Sequence, residues 1–136
     1  MKKNCLLIFL FTSILMLSCS RAPTMPENKI LKEEYNLEKN IQDVSVFMKS
    51  ITKDTLDALV TGFADKYKEK NLFAFRLKVY NSELPVELID KINAPMTVDS
   101  LNNAVITFPP KGVKYAECWY WYRRGERDIG DIKERK

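Results

Sequence analysis

The chain of 136 residues predicts an α+β fold: N-terminal helices packed on a small antiparallel sheet of three or four strands. Three patterns point there. Apolar residues recur at helical spacing from Ile30 to Tyr67. Alternation with a period of two begins at Leu72. The last strand-like runs are joined by links too short for a parallel crossover. A chain of this length suits one small domain.

The elements follow in order. Lys2 and Lys3 precede Cys5 to Leu17 (CLLIFLFTSILML), a 13-residue run without a charge. That length fits the apolar core of a secretory signal and falls short of the ~20 apolar residues of a transmembrane helix. Ser20 to Asn28 (SRAPTMPEN) reads as a tether, since Pro23 and Pro26 disfavour regular structure before them. Fully extended at ~3.3 Å per residue, it spans roughly 30 Å. Thr24 and Glu27, three apart, fit a capping box for the helix expected next. Ile30, Leu37, Ile41, Val44, Met48 and Ile51 form its apolar stripe, widened by Leu31, Tyr35 and Phe47.

Ser50 to Asp54 reads as a break, with Thr52 as cap of a second helix whose stripe is Leu56, Leu59, Val60, Phe63 and Tyr67. Lys66, Lys68 and Lys70 suit its C-terminal dipole, and Asn71 its C-cap. Gly62, inside this helix, costs roughly 1 kcal/mol and points to close packing. Phe73, Phe75, Leu77 and Val79 then alternate with Ala74, Arg76, Lys78 and Tyr80, a strand with one apolar and one mainly polar face. Pro85 opens a short helix with Leu88, Ile89 and Ile92 inward. Residues 96–103 read as irregular, 104–108 as a short strand, Pro109 to Gly112 as a hairpin-like link, and 113–123 as the longest strand. The charged segment 125–136 is expected to fray or to seat one helical turn on Ile129 and Ile132.

Composition narrows the chemistry. The chain has no His, which excludes Ser-His-Asp and Cys-His catalysis and every His-containing zinc site. A 46% hydrophobic share argues against wholesale disorder. There is no phosphate loop, zinc spacing or calcium loop, so no cofactor is expected. The chain carries 22 basic and 18 acidic side chains, a formal charge of +4. Without residues 1–18, and so without Lys2 and Lys3, that becomes +2. So small an excess does not point to nucleic acid.

Met16-Leu17-Ser18-Cys19 resembles the lipobox of bacterial lipoproteins. Ser18 stands where that family has the small residue before the cut, and Cys19 where it has the lipidated cysteine. Met16 replaces the usual Leu, and Leu17 is bulkier than the usual residue. The resemblance implies cleavage after Ser18 and acyl chains, palmitate among them, on Cys19. Two or more such chains anchor stably, at about 0.8 kcal/mol per buried CH₂. Ser20, where an Asp is lacking, implies the outer membrane facing the periplasm in the enterobacterial pattern. The expected organisation is therefore a signal peptide at 1–18, a lipidated cysteine and tether at 19–28, one α+β domain at 29–124 and a charged tail at 125–136. Cys118 would then be the one free thiol, which rules out an intrachain disulfide.

The candidate site is the aromatic run Tyr115 to Tyr122 with Arg123 and Arg124. On a strand, Tyr115, Glu117, Trp119, Trp121 and Arg123 face one way, and Ala116, Cys118, Tyr120, Tyr122 and Arg124 the other. Both faces carry aromatics, so one core does not swallow them all. Tyr115, Trp119, Trp121, Arg123 and Arg124 are the expected partner-binding residues, since Trp, Tyr and Arg dominate binding hot spots. Core packing and contact with lipid headgroups are the competing readings. Cys118 reads as a buried small hydrophobe. Asp54, Asp57, Glu33 and Glu34 read as solvated charge, and Glu117 is the one acid in an aromatic setting. The expected function is non-enzymatic: binding or assembly toward a protein or peptidoglycan partner by a domain anchored in a bacterial membrane. The alternative is an immunity or inhibitor lipoprotein against a toxin or lytic enzyme, and a small hydrolase using Glu117 or Cys118 ranks behind both.

Overall fold

A computed structural model of the chain describes residues 24–94 and 96–136. The expected signal peptide and Cys19 lie outside these residues. The fold is mixed α+β, but its first elements are strands. Strand β1 (Lys29–Asn36) and strand β2 (Ile41–Phe47) form an antiparallel hairpin. The helix expected over this stretch is therefore corrected, and with it the capping box at Thr24 and Glu27. The physical reason lies at Leu37 to Asn40. Asn36 Oδ1 accepts the Lys39 backbone N–H at 3.0 Å, and Asn40 takes a left-handed φ of 52°, so the chain reverses there. Leu37, a member of the expected stripe, sits on this turn and is 80% exposed. Val44 and Val46, with Met48 just past the end of β2, instead alternate into the core with the period of two of a strand.

Helix α1 (Lys53–Tyr67) agrees with the sequence, including its cap. The Thr52 hydroxyl accepts the Thr55 backbone N–H at 3.1 Å, and the Thr52 N–H donates to the Thr55 hydroxyl at 2.8 Å. Gly62 is packed as expected: a Cβ there would collide with the Met25 side chain. The chain then leaves through a 3-10 turn and Asn71 at φ 53° into strand β3 (Ala74–Tyr80). The α1 crossover makes β2 and β3 parallel, so the sheet is mixed rather than antiparallel.

Helix α2 (Val86–Asn93) begins after Pro85. A two-stranded ribbon follows, of β4 (Thr97–Val98) and β5 (Ala104–Val105). Strand β6 (Lys114–Trp121) pairs with β3, not with β5, so Pro109 to Gly112 is a link between two sheets rather than a hairpin. Gly125 at φ 61° turns the chain into β7 (Glu126–Ile129), and β8 (Lys133–Glu134) pairs near the start of β6. The charged segment expected to fray is thus strand: its alternating charges suit an edge that faces water. The main sheet has six strands, ordered β1-β2-β3-β6-β7 with β8 also on β6. That exceeds the three or four expected.

The helices do not share one face. Leu56, Leu59, Val60 and Phe63 of α1 pack on Val44, Val46, Phe75, Leu77, Val79, Ala116 and Cys118. On α2, Ile89 packs with Tyr80, Leu84 and Val113. Val79 and Tyr80 are consecutive on β3, so the two clusters lie on opposite sides of the sheet. Burial of each large apolar side chain contributes roughly 1.5–3 kcal/mol, which makes the α1 side the main core. Helix α2 has eight residues and covers only one end of its face. The rest of that face holds the candidate site.

Candidate functional site

The open face is built by register. Asp43 of β2, Arg76 of β3, Trp119 of β6 and Asp128 of β7 stand opposite one another across four strands. One step along, Ala74, Trp121 and Glu126 form the next row. The Arg76 Nε donates to Asp43 Oδ1 at 2.5 Å, which fixes the guanidinium. Its carbon lies 5.2 Å from the Trp119 ring centroid, a cation–π contact. Trp119 and Trp121 stack in turn, with centroids 5.7 Å apart and planes 6° off parallel. The Trp119 indole N–H donates to Glu117 Oε1 at 2.8 Å. Asp43, Arg76, Trp119 and Trp121 therefore form one ordered line.

The expected site residues separate into three groups. Trp119 and Trp121 come together on the open face, both half-buried. Tyr115 lies opposite Tyr80 and packs in the α2 cluster, apart from the tryptophans. Arg123 and Arg124 are exposed in the turn after β6, where Arg124 reaches Glu126 at 3.7 Å. Among the described residues, Trp121 has no ring or cation partner besides Trp119. Trp119 is held from both directions, by Arg76 and by Trp121. Trp121 thus offers the aromatic surface that an incoming group can stack on.

Sequence reasoning missed Arg76 and Asp43. The alternation of β3 already put Arg76 on a polar face, but only the strand register shows that Trp119 stands beside it. The other face of β6 is core: Tyr120 stacks on Phe75 at 5.4 Å, and the Tyr122 hydroxyl donates to the Ala64 carbonyl at 2.8 Å. Cys118 is fully buried there, and burial pushes its thiol up to about 11, with the Gly130 N–H opposing only in part. A thiol so placed is a poor nucleophile.

Three of the four acids read as solvated charge have partners, Glu34 among them with Lys32 at 2.8 Å. Asp57 accepts from Arg127 at 2.9 Å. Glu33 lies on β1 rather than on a helix and accepts the Tyr67 hydroxyl. Burial, and the hydrogen bond to Glu33 after it, hold that hydroxyl protonated far above the ordinary tyrosine range. Among the described residues, no group of three or more Cys, Asp or Glu side chains is placed to hold a metal ion. The face offers a ring to stack on, with fixed charges of both signs beside it. No family model, curated protein or solved structure matches the chain.

Proposed function

We propose that the protein is a lipid-anchored envelope protein whose open sheet face binds a protein or cell-wall partner. Two features support this reading. Residues Met16 to Cys19 resemble a lipobox. The observation that carries the binding role is the stacked pair Trp119 and Trp121, held on the part of the face that α2 leaves open. Two tryptophans left half in water on an ordered strand are a cost to a lone domain. A partner that covers them recovers that apolar area. Arg76 and Asp43 fix the pair in advance, which lowers the ordering cost of binding.

The Trp121→Ala variant of the anchored protein tests the binding role. It is expected to lose capture by its partner at least about tenfold, as a hot-spot residue does, while unfolding stability changes by about 1 kcal/mol. Capture is read against purified peptidoglycan and against envelope proteins after cross-linking. Retained capture overturns the role. So does unfolding of Trp121→Ala, which would make the pair core. A captured toxin or lytic enzyme would select the immunity or inhibitor reading. The anchor is tested separately: Cys19→Ser is expected to abolish palmitate labelling and leave the precursor uncut. Normal processing of that variant overturns the anchor alone.

A further inference from the structure

A cavity of about 390 Å³ opens on the same side of the sheet as the tryptophans, beneath the end of α2. Its volume lies within the roughly 300–1,000 Å³ of small-molecule sites. Tyr80 and Tyr115 line its sheet side, and Ile106 and Phe108 come from the link before β6. These last two are 57% and 52% exposed. They belong to an uncharged run of eleven residues, Ser100 to Pro110, in a chain that is 29% charged. One wall of the cavity is therefore apolar and lacks a cover.

Four charged side chains also line it: Lys78, Lys133, Glu117 and Asp131. Both acids have partners. Glu117 accepts the Trp119 indole N–H at 2.8 Å, and Asp131 lies 3.3 Å from the Lys53 ammonium. The two lysines differ. Among the described residues, neither Lys78 nor Lys133 has a carboxylate within 4.0 Å, whereas Lys32 on β1 and Arg76, two residues before Lys78 on β3, both do. Lys78 Nζ is half-buried and donates to Asn93 Oδ1 at 2.7 Å. An ammonium has three N–H donors, so two remain for a ligand. Burial, and Arg76 after it, lower the pKa of Lys78; the Glu117 and Asp43 carboxylates act the other way from beyond contact distance and do not cancel the shift. At the rim, the Arg135 guanidinium lies 5.8 Å from the Phe108 ring and adds to the positive side.

We propose that this cavity binds a small amphipathic carboxylate, with its anionic end on Lys78 and Lys133 and its apolar body against Tyr115, Ile106 and Phe108. An anion supplies the missing partner of a half-buried ammonium, and a charge-assisted hydrogen bond of that kind is stronger than a neutral one. The apolar body covers the exposed wall. This site stands apart from the lipid anchor and from Trp121, so its failure would leave the proposed function untouched.

Calorimetric titration tests it with the full chain in phosphatidylcholine nanodiscs, with empty nanodiscs as blank. The probes are 4-phenylbutyrate, 4-phenylbutan-1-ol and 4-phenylbutylamine, which share one body and differ in charge. The carboxylate is expected to bind about tenfold or more tighter than the alcohol, and the amine most weakly, since one charge-assisted bond separates them. Lys78→Met is expected to erase the preference for carboxylate over alcohol. If that variant fails to fold, the exposed positions decide: Lys133→Gln and Phe108→Asp should each weaken 4-phenylbutyrate binding at an unchanged melting temperature. Equal binding of alcohol or amine overturns the proposal. So does binding indifferent to Phe108→Asp, or no binding of any probe.

Discussion

Raising the pH should strip stability from this fold through a single thiol. Cys118 stands in mid-strand on β6, opposite Leu77 of β3 and Ile129 of β7, and is fully buried under α1. Burial raises its pKa from 9.0 to about 11. A raised folded-state pKa means that the unfolded chain loses this proton first as pH climbs. The contribution is therefore intact below about pH 9 and is lost by about pH 11. Two pH units correspond to at most about 3 kcal/mol, a large share of a marginal stability. Urea midpoints at pH 8, 9, 10 and 11 should fall more steeply for the native chain than for Cys118→Ala. Tyr80, raised to about 12 by burial, destabilises both chains alike from pH 10 upward and so cancels. At pH 8 only about one thiol in a thousand is ionised, against about one in ten for a group at 9.0. Alkylation of the Cys118 peptide, read by mass spectrometry, should be slowed by about a hundredfold from ionisation alone. Equal slopes for the two chains, or labelling at the rate of free cysteine, would mean that the Cys118 thiol is not held protonated by burial.

Two further outcomes probe the frame. Thr52→Ala removes the α1 capping box, and a loss of about 1 kcal/mol is expected in urea unfolding. Gly130→Ala places a Cβ against the Glu117 carbonyl oxygen, the acceptor of the Gly130 N–H at 3.0 Å. Backbone cannot swing aside as a side chain can, so this variant should lose about 2 kcal/mol or more. It should also speed amide exchange in β7 ahead of β2. Uniform exchange across the two strands would show that β7 is not held by that junction.

Much of the middle of the fold is written locally. Helix α1 carries its stripe and its cap, β3 its alternation, and α2 its leading Pro85. The first strands are not written that way. Val44 and Met48 belong equally to a helical stripe and to the strand pattern Val44-Val46-Met48. Beyond the turn at Leu37 to Asn40, what decides between them is pairing with β3 across an intervening helix, a non-local fact. Strands β7 and β8 are hidden for another reason. The segment Glu126 to Lys136 is rich in charge, as a free tail is, yet charge is also what protects a sheet edge. The site divides along the same line. Alternation places both tryptophans on one face of β6, but the line from Asp43 through Arg76 to Trp119 depends on the register of three strands.

That register also explains how the two proposed surfaces fit on one strand. Helix α2 covers Tyr80 and Tyr115 at one end of the face, and its last turn roofs the cavity. Trp119 and Trp121 lie further along, beyond its reach. Glu117 stands between them: it lines the cavity and accepts the Trp119 indole N–H. Its cross-strand neighbour is Lys78, which among the described residues has no carboxylate within 4.0 Å. The distances explain why these two do not close into an ion pair. Glu117 is engaged by the indole and Lys78 by Asn93, so each is held toward a different neighbour. An apolar pair at these positions would pack the sheet at lower desolvation cost. The sequence instead keeps a charge on each side of the boundary, one committed to the tryptophans and the other left to the cavity.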